Sequence, residues 1–176
     1  MRDFLSAFIQ LLIFVCITGL VSNIVGYLVP RDQININAFP YASFAWEKDG
    51  DVYRSIRVNK WKKKLPDMSK HLAFLYPKQL TFHPTSEQVE RLIKESCVAE
   101  FVHIMLIAAG PLISCFIDGF WGDAFTFMYM LGNMPFVIIQ RYNRPTLKTL
   151  YIQLMERESK LRESGGKKRE SADIVM

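Results

Sequence analysis

Three apolar runs set the layout of this chain. Phe4 to Val29 contains no Asp, Glu, Lys or Arg, and the same holds for Phe101 to Ile117 and Ala124 to Ile139. The runs are nearly solid, without the polar face of a water-facing helix, so they predict helices surrounded by hydrocarbon. A perpendicular helix needs roughly 20 residues to cross the bilayer core. The first run meets that length. Val98 and Ala99 extend the second, and Gln140 with Tyr142 extends the third. The predicted spans are 4–29, 98–117 and 124–142, giving an all-α integral membrane protein of about three transmembrane helices.

Segment 31–97 is too long for a plain loop and carries patterns of its own. Ile34 to Phe44 alternates apolar and polar residues, and Pro40 stops any long helix there. From Tyr53 to Leu65, Ile56, Val58 and Trp61 are interleaved with Arg54, Arg57, Lys60, Lys62, Lys63 and Lys64, a mixture suited to the headgroup layer. Thr85-Ser86-Glu87-Gln88 predicts a helix start, with a hydroxyl cap and an acid in the first turn. Val89, Leu92, Ile93, Cys97 and Phe101 follow at helical spacing, so this helix is expected to run into the second span. Pro145 is expected to end the third span. A separate amphipathic helix then covers 146–163, with Leu147, Leu150, Tyr151, Leu154 and Leu161 on one stripe. Residues 1–164 read as one membrane domain, and 165–176 as a disordered tail.

Composition refines this picture in two places. The mean hydropathy of +0.09 averages greasy spans with a charged remainder, so it hides the membrane signal. The net charge of +5 does not point to nucleic acid, because the basic residues flank the spans and lie in no nucleic-acid module. They suit an anionic leaflet, a phosphate or a negatively charged acyl carrier. The loop Asp118 to Asp123 holds acids and no base, whereas 31–97 and 141–170 are basic. The positive-inside rule therefore puts the hairpin tip outside and both basic segments in the cytoplasm. The first run follows Arg2, is longer than a signal-peptide core and precedes no A-x-A pattern, so a retained helix is expected. Cys16, Cys97 and Cys115 have no metal-ligand spacing and read as buried small hydrophobes.

The candidate chemistry gathers at the cytoplasmic ends of the spans. Gln140, Arg141, Tyr142, Asn143 and Arg144 close the third apolar run with two guanidiniums, a phenol and two amides. Such a set is costly at a bilayer surface unless it binds something, and it suits phosphate, carboxylate or sugar oxygens. The bland alternative is a helix anchor. Asn133, deeper in the run, needs a hydrogen-bonding partner. Glu100 and His103 share a helix face, and a carboxylate-oriented histidine is a ready general base; the same pair also serves as a simple interhelical hydrogen-bonding pair. Trp61 and Lys62 fit an interfacial anchor, while Asp67 serves as a turn cap, as a second carboxylate near His103 or as an acceptor for sugar hydroxyls. A metal drawing on His71, His83 and His103 lacks ligand spacing, so no metal is expected.

The order E-K-x-G (Glu47, Lys48, Gly50), W-K-x-K-x-x-D (Trp61, Lys62, Lys64, Asp67), E-x-x-H (Glu100, His103), N-x-P and Q-R-Y-N-R-P-x-L resembles the glycosyl-4,4'-diaponeurosporenoate acyltransferases over roughly residues 40–160. The Gln140–Pro145 block is the most specific part. The resemblance implies a bacterial cell-membrane enzyme that esterifies a sugar hydroxyl on a glycosylated carotenoid acid with a fatty acyl group. The expected donor is acyl-CoA or acyl carrier protein, with no bound cofactor, and the acceptor is a membrane glycolipid. The expected catalytic residues are His103 as base, Glu100 orienting it, and Asp67. Substrate binding falls to Gln140, Arg141, Tyr142, Asn143, Arg144, Trp61, Lys62 and Asn133, with the arginines holding anionic charge. The rival readings are a non-enzymatic membrane scaffold or lipid-binding protein, and a membrane enzyme with a metal or cofactor at Glu100 and His103.

Overall fold

A computed structural model describes residues 2–65 and 84–173. Asp67, His71 and His83 lie outside the described residues. Every regular element among those described is helical. Helix α1 spans Arg2–Leu28, with short helices α2 (Asp51–Ser55) and α3 (Val58–Trp61) following among turns. Helix α4 covers Ser86–Ala109, α5 covers Leu112–Phe116, and α6 covers Phe120–Asp173.

Helix α1 is apolar on all sides and mostly exposed: Ile17, Leu20 and Leu12 face outward, and Ala7 is its one fully buried apolar residue among those described. Its C-terminal carbonyls are closed by Arg31, whose Nη1 donates to Gly26 O at 2.7 Å, Tyr27 O at 3.1 Å and Val29 O at 2.6 Å. The remaining donors of Arg31 reach both oxygens of Glu95 on α4 at 3.1 and 3.2 Å. One guanidinium thus ends α1 and fixes it to α4.

Helix α4 begins as its sequence predicts. The Thr85 hydroxyl accepts from the Gln88 N–H at 3.3 Å, and the Gln88 side chain accepts from the Thr85 N–H at 3.2 Å. Val89, Ile93, Cys97 and Glu100 are buried along one face, and that face packs on α6 running antiparallel. The chain then breaks at Gly110-Pro111, so the apolar run expected as one span is α4 followed by the short α5. The turn into α6 is tight enough that a β-carbon on Gly122 would overlap the Ile117 carbonyl oxygen. Ala7, Ile113, Ile117 and Phe125 form a small core beside this turn, with Leu11, Phe14 and Tyr129 against it. Thr18 and Tyr129 hydroxyls, 3.0 Å apart, join α1 to α6.

Helix α6 departs from expectation. It continues through Pro135 and Pro145 as 54 residues, about 80 Å at 1.5 Å per residue. Proline removes one backbone hydrogen bond, but contacts on both sides of Pro145 hold the helix in line. Arg144 bonds α4 on one side, and Glu158 on the other accepts from the Ser86 N–H at 2.9 Å and hydroxyl at 2.6 Å. The amphipathic stretch 146–163 is therefore the continuation of α6, whose helix extends to Asp173. Two helical runs among the described residues, Asp3–Leu28 and Ser86–Phe116, are long and apolar enough to cross a membrane. Cys97 is buried as expected, whereas Cys16 and Cys115 are exposed on the apolar surface.

Candidate functional site

Two arginines one helical turn apart on α6 project toward α4 and toward the turn that precedes α2. Arg141 spends its donors completely. Its Nε bonds Glu47 Oε1, and its Nη2 reaches Glu47 Oε2 at 2.9 Å and Ala42 O at 3.1 Å. Its Nη1 reaches Glu100 Oε1 at 2.5 Å and Pro40 O at 3.1 Å. Arg144 bonds the other Glu100 oxygen, Tyr41 O at 2.9 Å and the Ser96 hydroxyl at 3.3 Å. Two carboxylates thus face two guanidiniums in a neutral cluster, buried throughout: Glu100 is 1% exposed and Glu47 2%. Rings cover both cations, Phe44 at 4.4 Å from Arg141 and Tyr41 at 5.7 Å from Arg144.

Glu47 has a local reason to be there. Its Oε2 accepts from the Phe44 N–H at 2.8 Å, which closes its own turn, and its Oε1 accepts from the Tyr53 hydroxyl. Directly after it, Lys48, Asp49 and Gly50 take left-handed backbone with φ of 46°, 52° and 95°. Two non-glycine residues in that region cost of order 1–3 kcal/mol each, so the surrounding bonds must hold them. Burial alone would raise the Glu47 carboxyl, but the bonds from Arg141, Tyr53 and the Phe44 N–H outweigh it and hold it below the ordinary carboxylate range. Burial and the Glu47 carboxylate together push the Tyr53 phenol well above its ordinary value.

A carboxyl with a lowered folded-state value contributes stability above its unfolded-state value, about 4.3, and loses it as pH falls through the folded value. The melting temperature of the detergent-solubilised protein is therefore expected to be level near neutrality and to fall in acid below pH ~4. Glu47→Gln should shallow that acid limb. An identical limb in the variant would show that Glu47 carries none of it.

His103 sits one turn beyond Glu100 on α4, and the hydrogen bond placed on its ring comes from α6. Both Glu100 oxygens serve arginines, and the contact placed on the imidazole Nδ1 is Asn133 Oδ1 at 3.0 Å. Asn133 donates from Nδ2 to Tyr129 O at 2.9 Å, so its oxygen faces the ring and accepts from Nδ1–H. That network assigns the Nδ1-protonated tautomer and puts the lone pair on Nε2. Phe136 stacks on the imidazole at 4.6 Å with an 8° interplanar angle. The expected pairing of Glu100 with His103 is thus joined by a second one: His103 bonds Asn133, and Asn133 finds in His103 a side-chain partner.

The arginines depart from expectation in the same way. Their donors are committed inside the protein, so they hold segment 40–47 against α4 and α6 and do not present charge to an outside anion. The outward part of the Gln140–Arg144 block is elsewhere: Lys62 Nζ bonds Asn143 Oδ1 at 2.8 Å and lies 4.6 Å from the Tyr142 ring centre. Gln140 is buried, and the Trp61 indole donates to Ile56 O at 3.1 Å. Among the described residues no three His, Cys, Asp or Glu side chains are grouped to hold a metal, and the carboxylate proposed for one is the doubly paired Glu100. Sequence reasoning missed Glu47, Tyr53 and Ser96. Glu47 stood in the E-K-x-G motif, but nothing local pairs it with an arginine 94 positions away. The only available signal was charge: two buried arginines need two carboxylates.

No solved structure matches this chain. The chain is similar to proteins named glycosyl-4,4'-diaponeurosporenoate acyltransferase from Staphylococcus aureus. The relative from a bovine strain is 28% identical over 132 residues, covering 71% of this chain and 76% of its own length. That of strain Newman is 26% identical over 140 residues, covering 76% and 80%. The profile of the same family matches residues 37–153, a stretch that contains Glu47, Glu100, His103, Asn133, Arg141 and Arg144. The chain belongs to the glycosyl-4,4'-diaponeurosporenoate acyltransferase family and is an acyltransferase.

Proposed function

We propose that this enzyme esterifies a sugar hydroxyl of a membrane-embedded glycolipid, a glycosylated carotenoid acid or a close analogue, with a fatty acyl group. The observation that carries this reading is the family match across 37–153, which encloses the buried ion cluster and the His103–Asn133 pair together. The all-round apolar and exposed surface of α1 supports a membrane location, since such a face in water would be an aggregation surface. Charge asymmetry supports three spans, at 4–29, 98–117 and the first half of α6, in the bacterial cell membrane, with the active face cytoplasmic.

In this reading the acceptor hydroxyl attacks the thioester carbonyl of acyl-CoA or an acyl carrier protein. His103 Nε2 takes the hydroxyl proton as the C–O bond forms, and returns it to the thiolate when the C–S bond breaks. Asn133 keeps the ring in the tautomer that leaves Nε2 basic, a role that a third group plays in other nucleophile-base systems. Tyr142, Asn143 and Asp67 position sugar oxygens. Lys62 supplies the positive charge that the arginines, turned inward, do not. Trp61 anchors the segment at the interface. Arg141, Arg144, Glu47 and Glu100 are positioning residues.

Lipid mass spectrometry of host membranes with and without the gene tests the reaction. The expected result is loss of an acylated glycolipid and accumulation of its unacylated precursor. Unchanged acylation in the deletion strain would refute the reading.

A further inference from the structure

Where the segment before α2 sits relative to the spans follows from its contacts. Gly26, in the last turn of α1, packs level with Val98 and Val102 of α4: a β-carbon there would stand 3.9 and 3.4 Å from them. Glu100 lies between those two valines in sequence. Through Arg141, Glu100 is bonded to Glu47, to the Pro40 carbonyl and, at the second nitrogen, to Ala42. Residues 40–47 are therefore held level with the final turn of α1, at the end of its uncharged run.

That level is where a span meets the headgroups, and the side chains turned outward there match it. Phe39 is 82% exposed and Trp46 58%. Phe44 stacks on Trp46 with ring centres 6.3 Å apart and 13° between planes, and lies 6.3 Å from Phe39. Ile56 is exposed on the next turn. Beside this apolar set stand Arg54, Arg57 and Lys60, all exposed, with Asp49 and Asp51 the acids of the same stretch. Asp51 pairs with Arg54 at 2.8 Å, so Arg57 and Lys60 extend the positive edge beyond that pair. Aromatic rings flanked by bases fit a leaflet with anionic headgroups, the rings reaching the acyl boundary and the amines meeting phosphate.

We infer that Phe39, Phe44, Trp46 and Ile56, with Arg57 and Lys60, form a lipid-facing platform that inserts into the anionic cytoplasmic leaflet and holds the site at the depth of its acceptor. The inference rests on the reading that α1 and α4 cross the bilayer. The ion cluster ties the platform to the helices: Phe44 lies against the Arg141 guanidinium and stacks with Trp46.

The test uses the full chain in nanodiscs of phosphatidylglycerol and phosphatidylcholine brominated near the acyl carbonyl. In the Trp61→Phe, Trp121→Phe double variant, Trp46 is the sole tryptophan. Its emission is expected to shift to the blue and lose most of its intensity to the bromines, while aqueous iodide leaves it little changed. A reporter on α1, Leu12→Trp with all three native tryptophans replaced by Phe, measured in discs whose lipid is brominated at mid-chain, separates the two readings. If Leu12→Trp is quenched by brominated lipid and Trp46 is quenched only by iodide, the platform is wrong and the membrane span stands. If Leu12→Trp is untouched by brominated lipid, both fall.

Discussion

Glu100→Gln is expected to unfold the centre of this protein more effectively than any other conservative change. The side chain is almost fully buried, and its two oxygens receive Arg141 and Arg144 separately. Glutamine keeps the shape but offers one acceptor and no charge, so two buried guanidiniums would share the single carboxylate of Glu47. Removing one partner of a buried ion pair costs roughly 3–5 kcal/mol, a large part of the 5–15 kcal/mol that typical domains have. The measurement is the melting temperature in detergent together with protease cutting in 40–47, and both should change sharply, with acyl transfer lost in parallel. Pairing the change with Arg144→Gln restores neutrality and should recover part of the stability, because the two positions couple through one contact. Were Glu100→Gln to melt like the parent and lose only transfer, Glu100 would be a catalytic residue and the positioning role would be wrong.

His103→Ala should give the opposite profile. The ring is half-buried, bonds Asn133 and stacks on Phe136, while the carboxylates that bond Arg141 and Arg144 are those of Glu47 and Glu100, so the fold should survive with a small shift in melting. Loss of a positioned general base lowers turnover by about 10²–10⁴-fold. The readout is acyl transfer to the proposed glycolipid acceptor, with the protein shown to be folded. Asn133→Ala should lower turnover less while leaving the apparent affinity for donor unchanged, since the base remains but its tautomer is no longer fixed. Full transfer by His103→Ala would remove the histidine from the mechanism.

These two variants separate what looks alike in sequence. Glu100 and His103 stand three apart, on one helix face, and local spacing makes them a dyad. The structure gives each its own partner on α6, because α6 runs antiparallel to α4 and presents a different residue at each level: Arg141 and Arg144 opposite Glu100, Asn133 opposite His103. Which residue of α6 faces which residue of α4 depends on the turn at 117–122 and on close packing, neither of which can be read from an E-x-x-H pattern. Pro145 makes the same point. Local chemistry predicts a helix end there, yet contacts on both sides, Arg144 to Ser96 and Glu158 to Ser86, carry α6 through it.

The sequence by itself determined the all-helical class, the long apolar helices, the Thr85 cap, the clustering of chemistry near Gln140–Arg144 and the family, because periodicity, capping and motif order are local properties. Only the tertiary structure decided that Arg141 and Arg144 turn inward, that Glu47 completes their charge, and that His103 is oriented by Asn133. Those are long-range choices: a buried charge must find its opposite wherever the fold brings one, and 94 residues of intervening chain carry no record of which one it will be.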